Sequence, residues 1–73
     1  MTKPAKDIAR GDVILLLDKL YGEADRPRTP FTVVGDPWAS SDATVNLFLD
    51  HALRSGGRSV RYTDPDFAVE IAP

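Results

Sequence analysis

Seventy-three residues leave room for one domain and one modest core, close to the lower size at which a chain folds without a disulfide, a metal or a partner. With 42% apolar and 27% charged side chains the chain is too hydrophobic to be disordered throughout, and without cysteine it has neither disulfides nor thiolate zinc sites to staple it. Nine basic against eleven acidic side chains, a net charge of −2, exclude a general attraction to nucleic acid or anionic lipid and leave only local patches.

Residues 1–6 are polar, contain Pro4 and offer nothing large to bury, so they are expected to form a flexible N-terminal arm ahead of a single small domain over 7–73. This start lacks the apolar stretch of a secretory signal, and no run approaches the roughly 20 residues that span a bilayer, so a cytoplasmic location is expected. Gly11-Asp12 then makes a corner into the uninterrupted apolar run Val13 to Leu17. As a strand this run lines a barrel wall. As a helix over 12–21 it carries Val13, Leu16, Leu17, Leu20 and Tyr21 on one stripe, with Asp12 as N-cap and Gly22 as the stop.

Gly22 to Pro30 holds two prolines among alternating charges and reads as an exposed loop. Phe31-Thr32-Val33-Val34 is β-branched and aromatic, too short for a helix, and stops at Gly35-Asp36-Pro37, which predicts a strand. Residues 42–54 satisfy both periods with one error each. A strand turns Val45, Leu47 and Leu49 inward and Thr44, Asn46 and Asp50 outward, and misplaces Phe48. A helix capped by Ser41 stacks Val45, Phe48, Leu49, Ala52 and Leu53, and misplaces Leu47. Beyond Gly56-Gly57, Arg58 to Tyr62 alternates as a strand, and the turn Asp64-Pro65-Asp66 leads to a last strand over Ala68 to Ile71.

The opening Asp7-Ile8-Ala9-Arg10-Gly11-Asp12-Val13-Ile14, the segment Phe31-Thr32-Val33, the stretch Gly56 to Tyr62 and the closing Val69-Glu70-Ile71 together resemble small SH3-like β-barrel proteins of actinobacteria and their phages. The resemblance covers most of the chain. It rests on turn-and-strand punctuation and implies a fold, with no activity attached. It favours a mainly β domain, an SH3-like barrel of about five strands, over the α+β alternative of two short helices at 12–21 and 42–54 on a three-stranded sheet.

Few side chains suggest chemistry. His51, the one histidine, follows Asp50, but neighbours on a strand point to opposite faces and are not expected to touch, so an ordinary surface histidine is the simpler reading. Asp36, Asp42, Asp50, Asp64 and Asp66 supply hard-cation donors, yet nothing in their spacing brings them together, and turn formation beside proline accounts for Asp64 and Asp66. There is no nucleophile with an adjacent base and no phosphate-cradling glycine loop, so neither catalysis nor a cofactor is expected.

Binding is the expected mode of action. A protein-interaction or structural module would use Trp38, Phe31 and the loop from Glu23 to Pro30 with Arg26 and Arg28, with self-association a further way to enlarge a small core. The alternative is a nucleic-acid accessory protein using Arg54, Arg58, Arg61 and Tyr62, a stretch without acids in which an aromatic could stack a base.

Overall fold

A computed structural model describes residues 1–39 and 43–73 and is mainly β. Ser41, the cap of the helical alternative, and Asp42 lie outside the described residues. Seven short strands are found among those described: β1 (Thr2–Pro4), β2 (Val13–Leu16), β3 (Thr29–Thr32), β4 (Trp38–Ala39), β5 (Val45–Phe48), β6 (Ser59–Tyr62) and β7 (Ala68–Glu70). The sole helical element among them is a 3-10 turn over Ala5–Asp7. Within the two ambiguous runs Val13–Leu16 and Val45–Phe48 are strands, and the two-helix alternative is overturned.

The strands form three antiparallel ladders, β1 with β7, β2 with β3, and β4 with β5 and β6 in that order, and these are not closed into a barrel. Single bridges join them edge to edge: Ile14 opposite Ile71 links β2 to the β7 ladder, and Val33 opposite Leu49 links the β3 strand to β5. The resulting row runs β1, β7, β2, β3, β5, β6, with β4 lying beside the start of β5. Its two ends, β1 and β6, each have one edge that no described residue pairs.

Period-two alternation decides what is buried. In β5, Val45 and Leu47 point inward, and Leu49 continues the row beyond the strand end, packing with Val33, Phe31 and Ile14. Val69 and Ile71 close the core from β7, and Leu16, Leu53, Val60 and Tyr62 pack against its margin. Gly11, at φ 94°, takes the left-handed conformation that lets its N–H donate to Val33 O at 2.8 Å, while Val33 N returns a bond to Asp12 O at 2.9 Å.

The N-terminal segment is not a loose arm. Thr2, Lys3 and Pro4 pair with Glu70, Val69 and Ala68, Ile71 N donates to Met1 O at 2.8 Å, and Ala5 is wholly buried. Its pairing runs through main-chain groups, so side-chain patterning gives no sign of it. Pro4 and Pro30 both lie within strands, at positions on the outside of a ladder where a missing N–H costs no pairing.

Leu47→Ala is expected to cost about 2–5 kcal/mol, a large part of the roughly 4–11 kcal/mol available to a domain of this size. Leu17→Ala, at a position left exposed, should change stability by no more than about 0.5 kcal/mol. Urea titrations of the two variants measure the contrast.

Candidate interaction surface

The register of the three-stranded ladder sets what its outer face displays. Trp38 lies opposite Asn46, Asn46 opposite Arg61, and Phe48 opposite Ser59, while the inward residues Val45 and Leu47 are buried. Val34 N donates to Phe48 O at 2.9 Å, which places Val34 beside Phe48, and a Cβ added at Gly35 would sit 3.7 Å from the Phe48 ring. Val34, Phe48 and Trp38 thus form an apolar patch on a paired sheet face, at 45%, 44% and 60% exposure. Asn46 steadies it by donating from Nδ2 to Trp38 O at 3.2 Å. Arg61 stands at its margin with no hydrogen bond or ion pair to any described residue.

Of the residues expected to meet a protein partner, Trp38 is exposed and Phe31 is not. Phe31 is wholly buried, because its position in β3 opposite Ile14 points it into the core, and His51 covers it with ring centroids 4.3 Å apart at 15°. Arg26 is exposed on the long loop, and Arg28 Nε lies 3.4 Å from Glu70 Oε2. Phe48 was missing from the expected surface, although its misfit to the strand pattern of 45–49 was the available signal.

The arginine set does not assemble into one face. Arg54 is held by the long loop: its main-chain N–H donates to Asp18 Oδ1 at 2.9 Å and its guanidinium meets Glu23 Oε1 at 2.8 Å. Arg58 donates to Asp50 O at 3.1 Å. Arg61 points outward, whereas Tyr62 turns inward and stacks on Phe67, with centroids 5.4 Å apart. Burial pushes the Tyr62 phenol above its ordinary value, Arg28 opposing, so it stays neutral near pH 7.

Tyr62 and Phe67 are part of a half-open groove of about 310 Å³ whose wall also includes Thr2, Leu16, Val69 and Glu70. Residues from both ends of the strand row, Thr2 of β1 and Tyr62 of β6, therefore meet in it, which marks the groove as the seam where the row fails to close.

Asp50 and His51, expected not to touch, are in contact: His51 Nδ1 lies 2.8 Å from Asp50 Oδ1. The chain bends after Leu49, so strand alternation no longer applies. A carboxylate only accepts, so Nδ1 carries the proton. Desolvation is the largest single influence on Asp50 and pushes its carboxyl up, but the bonds from His51 and from Thr32 N–H outweigh it and leave the group below its ordinary range. Asp64 accepts from Asp66 N at 3.0 Å within its turn, and Asp66 pairs with Lys6 at 2.8 Å. Among the described residues no three acidic or imidazole groups converge, and no helix is long and apolar enough to cross a membrane.

No protein-family model, curated protein or solved structure matches the chain.

Asp12 supplies the clearest pH dependence. Its carboxylate accepts from Ala9 N at 2.9 Å and from Lys3 Nζ at 3.0 Å, and these bonds, the Ala9 N–H foremost, hold it below the ordinary 3.8. A depressed folded-state value means the stabilisation is complete above 3.8, where the unfolded chain is also ionised, and is lost as pH falls below 3.8 through the folded value. Asp12→Asn should therefore lower the urea midpoint at pH 7, and the gap to the parent protein should shrink steadily on acidification from pH 4 to pH 2.

Proposed function

We propose that the chain is a non-catalytic protein-interaction module built as a partly open SH3-like β-domain. The strand row supports the fold reading: β7, β2, β3, β5 and β6 follow one another, with the last strand of the chain returned beside the first of the five. The observation that carries the functional reading is the exposure of Trp38 and Phe48, with Val34, on a face formed by ladder pairing. Large rings standing out from a paired sheet are already ordered, so little conformational freedom is lost when a partner covers them, and tryptophan is prominent among residues that dominate interface energetics. In a core this small, leaving these two rings outside, along with Tyr21 and Phe67, gives up burial that would otherwise stabilise the fold by about 25 cal/mol per Å².

A nucleic-acid role finds less support. The Arg54 guanidinium is occupied by Glu23, Tyr62 lies on the other side of the sheet from Arg61, and Arg58 and Arg61 together meet about two phosphates, too few for useful affinity at physiological salt.

Affinity capture from the native host with the parent protein and with the Trp38→Ser, Phe48→Ser double variant tests the reading. The variant should keep its far-ultraviolet circular dichroism and lose the specifically captured protein by at least tenfold. Undiminished capture by the folded variant would refute the assignment of this face.

A further inference from the structure

We propose that the open seam beside β6 takes an extended segment of a partner protein as an added strand, with acidic residues on its outward face and an aliphatic residue turned into the groove. This rests on the binding reading above and names the chemistry of the partner.

Three observations converge on it. The first is a free main-chain edge. Leu49 N donates to Arg58 O at 2.7 Å, so the alternation of an antiparallel ladder turns the main-chain groups of Arg58, Val60 and Tyr62 toward β5 and those of Ser59 and Arg61 away from it. β6 ends its ladder, and no described residue pairs this outer edge. Ser59 and Arg61 thus offer N–H and C=O groups two residues apart, the spacing an incoming strand needs.

The second is charge. From Arg58 to Tyr62 the edge carries two arginines and no acid. A second copy pairing through the same edge would bring arginines against arginines, whereas a strand with glutamate or aspartate opposite Arg61 gains a cross-strand ion pair. Arg61 has no described partner to give up. At the groove rim, Arg28 holds Glu70 at 3.4 Å, longer than the roughly 2.7–2.9 Å of a tight charge-assisted bond, and is available to a second acid.

The third is the groove itself. Side chains of an added strand alternate, so residues flanking one that faces Arg61 point to the side of the sheet on which Tyr62 lies. There the groove of about 310 Å³, with Tyr62, Phe67, Leu16 and Val69 on its apolar side and Thr2, Arg28 and Glu70 on its polar side, sits at the lower end of the roughly 300–1,000 Å³ range of ligand sites and has room for an aliphatic side chain. Main-chain pairing then supplies affinity, and the alternation of acid and aliphatic supplies selectivity.

The test uses the full chain, nitrogen-15 labelled, and two capped hexapeptides, one alternating glutamate with leucine and one alternating lysine with leucine. The acidic peptide should shift the amides of Ser59, Arg61 and Tyr62 saturably and slow hydrogen exchange at Ser59 and Arg61 at least tenfold. The lysine peptide should bind at least tenfold more weakly. Arg61→Glu should reduce affinity for the acidic peptide at least tenfold, and so should Ala68→Trp, which fills the groove from an exposed position on its wall. Should Arg61→Glu fail to fold, Ala68→Trp decides. Unchanged exchange at Ser59 and Arg61 under excess acidic peptide would overturn strand addition. Were Trp38→Ser, Phe48→Ser to abolish host-protein capture at the same time, the binding module would stand and only its peptide mode would fall.

Discussion

Two buried side-chain pairs, Ile14 with Ile71 and Val33 with Leu49, hold this molecule together. Each lies at a bridge between ladders that otherwise share no strand pairing. A two-stranded ribbon on its own is marginal in water, and two of the three ladders are such ribbons. Fusing them at residues with almost no exposure lets one apolar interior serve all three, so each ladder's stability depends on the others. Main-chain bonds reinforce the junctions: Ala72 N to Val13 O at 2.9 Å on one side, and Asp50 N to Thr32 O at 3.0 Å on the other.

The loops are tied in the same manner. The long connection between β2 and β3 turns at Gly22, where Leu20 N donates to Glu23 Oε1 at 2.6 Å, and Lys19 meets Asp25 at 2.6 Å. Asp18 and Glu23 then anchor it to Arg54, in the connection between β5 and β6. These polar contacts are solvent-exposed and individually worth little, but they fix the relative placement of two loops from different ladders. An arginine that looks, in the linear sequence, like a phosphate ligand thus acts as a strut.

Legibility in the sequence followed the reach of each interaction. The alternation Val45, Leu47, Leu49 was visible, and its outlier Phe48 is a ring that the fold leaves outside. What could not be seen locally was why the strand period prevails over the helical one at Val45–Phe48. The answer lies in pairing with Val33 and with Ser59 to Tyr62, contacts between distant segments that outweigh local propensity. The β1 strand was illegible for the same reason, since Thr2 to Pro4 pair with β7 through main-chain groups and only Lys3 adds a side-chain bond, to Asp12. Trp38 was legible as a residue of interest because of its polar setting. Its place in a row with Asn46 and Arg61 required the register, and so did the burial of Phe31, which stands opposite Ile14 on the core face of β3.

The size of the exposed patch constrains how it can be used. A fully buried aromatic side chain covers about 150–250 Å², so Trp38 at 60% and Phe48 at 44% exposure together offer roughly 160–260 Å². A standard interface covers about 800 Å² on each partner, so two copies meeting only through these rings fall well short of a stable dimer. A partner that binds here must therefore extend past the rings. In one direction across the sheet it meets the Gly35-Asp36-Pro37 bend, and in the other it crosses Asn46 and Arg61 to reach the edge of β6 that no described residue pairs. The second route offers main-chain donors and acceptors, and the Arg61 charge, that no described residue pairs. Polar groups of that kind add specificity to an apolar contact, because the hydration they lose when covered is offset only where the partner presents a matching donor, acceptor or charge.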